Sequence, residues 1–244
     1  MSNVSSKNFG GPGTVITIAV AVFLAAQLLA GVIVGLGIAI FRPGANVTDL
    51  LNNSTPAQAA FLFLAESLAA GVVFYILRRN KLGLKAIGLR RLHRSDIGKG
   101  LVGFGVFYVL LIIASIVLTF IFPGLNSAKQ DIGFNNVAGA GTILAFIALV
   151  IIPPLGEEIL VRGYLFSGLR ARLSFVKAGL IVSVLFSLAH LELGSGAAPV
   201  WSAAADTFIL SLVLVYLREA TGALYAGMLV HMLNNLIAFM VKFH

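Results

Sequence analysis

Two carboxylates and a guanidinium stand inside hydrophobic sequence, in Pro153-Pro154-Leu155-Gly156-Glu157-Glu158-Ile159-Leu160-Val161-Arg162. Ionisable groups in such surroundings are costly in lipid, so they mark a functional site by default. On a helix Glu158 and Arg162, four residues apart, share a face and pair, whereas Glu157 lies about 100° around it. One carboxylate is compensated and the other is left free. Two later apolar stretches carry Phe186-Ser187-Leu188-Ala189-His190 and His231-Met232-Leu233-Asn234-Asn235, again with side chains four residues apart. Together these stretches predict one polar site assembled from three helices.

A carboxylate screened from bulk water suits a general base that takes a proton from a trapped water, which is the role expected of Glu157. Glu158 and Arg162 would hold the helix in place and offset each other's burial. The imidazole and amide N–H groups of His231 and Asn235 suit an oxyanion, the charge that develops when water attacks a carbonyl. A bland account stands beside each. A single histidine on an apolar helix, such as His190, is most often a packing residue, and the three charges would also serve as a structural network in a transporter-like bundle. Taken jointly the motifs describe a hydrolase.

The elements that must position them are legible in composition. The chain is 59% hydrophobic and 11% charged over 244 residues, with a mean hydropathy of +1.01, which excludes a soluble domain and predicts an integral membrane protein. Apolar runs cover Thr14–Phe41, Ala57–Leu77, Gly100–Phe122, Ala138–Leu169 with a kink expected at Pro153-Pro154, Val176–Leu191, Val200–Leu217 and Gly222–Val241. The fold class expected is all-α, a polytopic transmembrane helical bundle of about seven to eight membrane helices, forming one domain over residues 1–244 behind a polar tail at 1–13. Gly31 and Gly35 suit close helix packing, and Trp201 suits an interfacial anchor. Glu66, near the middle of the second run, either lines the cavity or is a protonated carboxyl bonded to a neighbouring helix, and stays outside the catalytic set.

A net charge of +8 would suggest nucleic acid in a soluble chain, but no nucleic-acid partner is expected here. Arg78, Arg79, Lys81, Lys85, Arg90, Arg91, Arg94 and Lys99 crowd one inter-span loop against the single acid Asp96, as the positive-inside rule requires of a cytoplasmic loop. With seven spans, only Arg42, Lys129 and Lys242 fall on the opposite side, while Lys7, Arg162, Arg170, Arg172, Lys177 and Arg218 join the loop, so the amino terminus is expected in the cytoplasm. No cysteine is present, which rules out a disulfide framework, a cysteine zinc cluster and a thiol nucleophile. Glu157 lies 15 residues before Arg172, His190 13 after Lys177 and His231 12 after Glu219, about 18–23 Å from the turns on that side. The three groups can therefore meet.

Glu157-Glu158-x-x-x-Arg162, Phe186-x-x-x-His190 and His231-x-x-x-Asn235, in that order and each on a hydrophobic span, resemble the signature motifs of the CAAX prenyl protease and bacteriocin-processing (CPBP, or Abi) family of intramembrane proteases. The basic stretch from Leu82 to Arg91 fits that family too, and the resemblance covers residues 82 to 240. It implies an all-helical membrane endopeptidase in which Glu157 and His190 activate water and His231 and Asn235 stabilise the oxyanion, with Glu158, Arg162 and Phe186 in support. In the eukaryotic branch the substrates are prenylated CAAX proteins, which lose their terminal tripeptide. Other members are linked to bacteriocin self-immunity or scaffolding. The partners implied are membrane lipid and a peptide or protein substrate, C-terminal CAAX-like substrates included, and the location implied is a bacterial cell membrane.

Glu157, His190 and His231 are also the ligand types of a hydrolytic zinc site, and the family is often labelled metalloprotease. Against zinc, no His-Glu-x-x-His pair stands on one helix and Asn235 is a poor zinc ligand. Water activation by Glu157 without metal accounts better for the amide, so no cofactor is favoured. Two other classes compete: an ion-coupled transporter using Glu66, Glu157 and Glu158 as relay groups, and a non-proteolytic membrane immunity or scaffold protein. The transporter is weakened by the lack of an internal repeat between the two halves.

Overall fold

The structure, a computed structural model, describes residues 9–122, 132–191 and 201–243. Lys7 with the start of the polar tail, Lys129 in its loop and Val200 at the head of the sixth run lie outside the described residues. In lipid a backbone must satisfy its own polar groups, which long apolar runs achieve as helices. Among the described residues there are helices and no strands: α1 (Pro12–Phe41), the short α2 (Val47–Asn53), α3 (Thr55–Arg79), α4 (Arg94–Ile121), α5 (Ala140–Arg170), α6 (Phe175–Ala189), α7 (Trp201–Thr221) and α8 (Tyr225–Phe243). All but α2 and α6 are long and apolar enough to cross a membrane, and α6 is a shorter apolar helix. Six of the described helices are thus long enough to span, against the seven to eight expected, because the fifth apolar run forms only the 15-residue α6; the chain is built as an integral membrane protein.

The third span starts earlier than its hydropathy suggests. Asp96 accepts the His93 backbone N–H at 2.9 Å, which caps α4 and draws Arg94 and Lys99 out of the basic loop into the helix. Arg90 then closes on both oxygens of Asp96, at 2.7 and 2.9 Å, and donates a further bond to the Thr221 carbonyl at the end of α7. Arg170 pairs with Glu219 at 2.9 Å, the Tyr225 hydroxyl donates to the Arg90 carbonyl, and Arg172 reaches the Gly10 carbonyl at 3.0 Å. These bonds gather the start of α1, the end of α5, the α7–α8 turn and the basic loop at one end of the bundle. At the other end the Thr55 hydroxyl meets the Asn136 carbonyl at 3.3 Å and Lys242 meets Asn135 at 2.9 Å.

Arg218, counted by sequence among the loop-side charges, is buried instead. Its guanidinium lies over Gly88, whose φ of +87° and missing Cβ both matter: a Cβ there would stand 2.8 Å from Arg218 Cζ. It donates to the Ser167 hydroxyl at 3.0 Å, tying the basic loop to α5 and α7.

The hydrophobic effect does little between helices in lipid, so close packing must hold the bundle. Val15, Val73, Phe166, Leu169 and Val182 knit α1, α3, α5 and α6 together, while Phe107, Leu214 and Val230 join α4, α7 and α8. Residues 162–169 of α5 are buried without a break, so this stretch of α5 is enclosed on every side. Helices α1 and α4 are peripheral and turn apolar side chains outward, Leu28 at 70% and Phe120 at 88% exposure, a surface suited to lipid. Gly31 faces Phe61 of α3 and Gly35 faces Val47 of α2, in keeping with a packing role.

Candidate active site

The site forms on α5, which passes through Pro153-Pro154 by changing its winding rather than by breaking at the expected kink. Two π-helical turns, Ile147–Ile151 and Glu158–Leu165, flank a short α segment at Ile152–Glu157. A π turn sends each N–H five residues back, and such turns occur in helices where function demands irregular backbone. Even in the wider turn Glu158 and Arg162 meet as their spacing predicts, with Arg162 Nη1 donating to Glu158 Oε1 at 2.8 Å and both side chains out of reach of solvent.

Glu158 is shared. Its Oε1 also faces His231 Nδ1 at 3.3 Å, so one carboxylate joins the first motif to the third. Arg162 in turn sits 4.1 Å above the ring of Phe186, a cation–π contact that joins the first motif to the second. Phe186 lies 4.4 Å from the His190 ring and 6.0 Å from His231, edge-on to the latter. The aromatic residue of the second motif is thus the hub that the cation and both imidazoles adjoin.

His190 is placed by the way α6 ends. Its backbone N–H turns to Ser187, leaving the Phe186 carbonyl without a helical donor, and the His190 Nδ1 takes that place at 2.8 Å. A carbonyl only accepts, so the proton belongs on Nδ1 and the lone pair on Nε2. The same logic applies to His231, whose Nδ1 faces a carboxylate already paired with Arg162. Both Nε2 atoms point to Glu157 Oε2, at 3.9 Å from His190 and 3.8 Å from His231. These separations exceed hydrogen-bond length, and Glu157 Oε2 has no hydrogen-bond partner. A basic carboxylate oxygen is held beside two imidazole lone pairs, with capacity left for an incoming proton donor.

Glu157, Phe186 and His190 form the wall between two cavities. One, of about 270 Å³, is apolar and lies among α1, α3, α5 and α6. The other, of about 180 Å³, is bordered by Leu149, Thr207, His231, Asn234 and Asn235. Glu66 belongs to the apolar cavity with Glu157, the first of its two expected placements. It is packed onto the backbone just before Glu157: a Cβ on Gly156 would lie 2.7 Å from Glu66 Cβ and closer still to its carboxyl. Asn235 reaches the polar cavity while donating to the Leu149 carbonyl at 3.0 Å.

Glu157, His190 and His231 have the donor chemistry of a zinc site, but not its spacing. Zinc ligand atoms at a tetrahedral centre stand about 3.4 Å apart, and the carboxylate here is 3.8 and 3.9 Å from the two imidazoles. Among the described residues no group of three or more such side chains is arranged to hold a metal ion. As placed, the three do not fit a metal centre, and no step below passes through one.

All seven motif residues therefore converge. Sequence reasoning left the placement of Glu66 open, for which Gly156 beside Glu157 was a signal, and missed the Leu149 carbonyl, signalled by the double proline. Thr207 and Asn234 of the polar cavity carried no signal above their helices. Comparison with known proteins bears on the same segment. Residues 139–237 match a family model described as Rce1-like, Type II CAAX prenyl endopeptidase Rce1-like; the basic loop lies outside the match. Neither the curated proteins nor the solved structures gave a match. By that match and by the ordered motifs it contains, residues 139–237 are similar to the Rce1-like CAAX prenyl endopeptidases.

Proposed function

We propose that this chain is an intramembrane endopeptidase that hydrolyses a peptide bond in CAAX-type substrates. The observation that carries the reading is the Glu157 carboxylate, unpartnered at Oε2 and flanked by two imidazole Nε2 atoms on the wall between an apolar and a polar cavity. A water there donates to Glu157 Oε2 and His190 Nε2. Glu157 takes its proton as the oxygen attacks the carbonyl carbon, and the proton later passes to the leaving amine. The second N–H of Asn235 stabilises the oxyanion. His231, held at Nδ1 by Glu158, donates from Nε2 when it carries a second proton, and Glu158 then offsets the imidazolium charge. Glu158, Arg162 and Phe186 touch no reacting atom in this scheme and position the imidazoles.

The apolar cavity suits a lipidated or aliphatic residue beside the scissile bond, which agrees with the CAAX prenyl substrates named for the matched family. The surrounding partner is membrane lipid. The basic end belongs in the cytoplasm by the positive-inside rule, with the amino terminus on that side, in a bacterial cell membrane. The test is cleavage of a quenched-fluorescence peptide panel, a farnesylated CAAX peptide included, by purified protein in detergent and in liposomes, with and without chelator. Cleavage by wild type that Glu157→Gln abolishes is expected, and a chelator should leave it intact; cleavage that survives Glu157→Gln would reject the mechanism.

A further inference from the structure

One N–H of the Asn235 amide is given to the backbone carbonyl of Leu149, inside another membrane helix, at 3.0 Å. A carbonyl within a helix is ordinarily taken by the N–H four residues on, or five on in a π turn. For Leu149 those residues are 153 and 154, and both are proline. Neither has an N–H to give. The preceding N–H, that of Ile152, is already committed to the Ile147 carbonyl by the π turn. The proline ring also crowds the carbonyl four residues back, and for Pro153 that is again Leu149. A carbonyl freed in this way inside the bundle must find a donor elsewhere. The donor it finds is Asn235 of α8.

We propose that Pro153 is a positioning residue: by denying Leu149 its helical hydrogen bond, it keeps a carbonyl turned to α8 that orients the Asn235 amide and leaves that amide's second N–H for the polar cavity. The double proline is thus a means of exporting one acceptor from α5 to the facing helix, and the π turn before it makes the export complete. The kinetic consequence rests on the proposed proteolysis; the hydrogen bond does not. A proline that served helix shape alone would have no influence on Asn235.

The test compares the full chain in detergent as wild type, Pro153→Ala, Asn235→Ala and the double variant. Nitrogen-labelled asparagine reports the Asn235 side-chain amide, identified by its loss in Asn235→Ala, and the peptide panel reports kcat and KM. In Pro153→Ala the restored N–H should recapture Leu149. The Asn235 amide should then lose its hydrogen-bonded proton shift and its protection from exchange. The expected kcat loss is about tenfold, the size of one weakened hydrogen bond, with KM unchanged and the thermal midpoint level or higher. On the Asn235→Ala background the same substitution should change kcat no further. An Asn235 amide signal unaltered by Pro153→Ala, or kcat losses that multiply in the double variant, would overturn the proposal. Should wild type cleave no peptide, the proteolytic reading fails while the amide signal still decides the hydrogen bond. Pro153→Gly restores the same N–H and replaces the alanine variant if that does not fold.

Discussion

Asp96 and Glu157 are carboxylates at opposite extremes of satisfaction. Asp96, at the basic end, accepts two N–H groups from Arg90 and one from the His93 backbone, all within 2.9 Å. Glu157 has imidazole nitrogens at 3.8 and 3.9 Å and no bond on Oε2. A buried polar atom without a partner is expensive, so a fold that leaves one at a wall between two cavities is holding capacity for something that arrives later. The Asp96 cluster ties elements together; the Glu157 cluster is tied together by its neighbours and kept open at one atom. Nearness of charge alone does not separate a structural group from a chemical one. Unspent hydrogen-bond capacity at a cavity wall does: Glu158 Oε2 is also without a partner, but Glu158 borders neither cavity.

Glu157→Gln is the sharpest way to break this contrast. It keeps the shape and removes the base, so cleavage should fall on the order of 10³-fold with folded yield unchanged. A collapse in yield would make Glu157 a structural group of the Asp96 kind. Arg162→Ala comes next, because it strands Glu158 in the bundle and strips the cation from Phe186. Its expected cost is about 3–5 kcal/mol, visible as lost folded yield and a lower thermal midpoint, and normal stability would show that the pair is not structural. Asn235→Ala should lower kcat by about 10²-fold with KM little changed, as for loss of an oxyanion donor. Full turnover in that variant would remove Asn235 from the role. Asp96→Asn, the mildest, should cost about 1–3 kcal/mol of stability and leave kcat per folded molecule as it was. A drop in kcat there would carry the chemistry to the basic end and erase the distinction.

Much of this arrangement was legible before any coordinates. The Glu158–Arg162 pair follows from a four-residue spacing, and it forms at 2.8 Å even though the turn that carries it is π rather than α. The meeting of Glu157, His190 and His231 follows from similar distances to the turns at the basic end. Other features were hidden for definite reasons. Hydropathy marks where apolar sequence begins, so it set the start of the third span at Gly100, whereas a carboxylate cap starts the helix at Arg94. Arg218 reads as a loop charge because burial over a glycine leaves no trace in its own neighbourhood. Glu66 was ambiguous because one span cannot tell which helix faces it.

The chain's one-dimensional pattern determined the membrane class, the helical class of its apolar runs and the identity of the polar residues, since hydropathy and the helical repeat are properties of each segment alone. Which helix lies beside which is a property of pairs of segments, and only tertiary structure decided it. That step aimed both imidazoles at Glu157, stacked Arg162 on Phe186 and seated Glu66 over Gly156. It also turned a double proline, a gap in the ladder of one helix, into an acceptor for an amide on another. A hydrogen bond missing within a segment is local, but the partner that replaces it is chosen by packing.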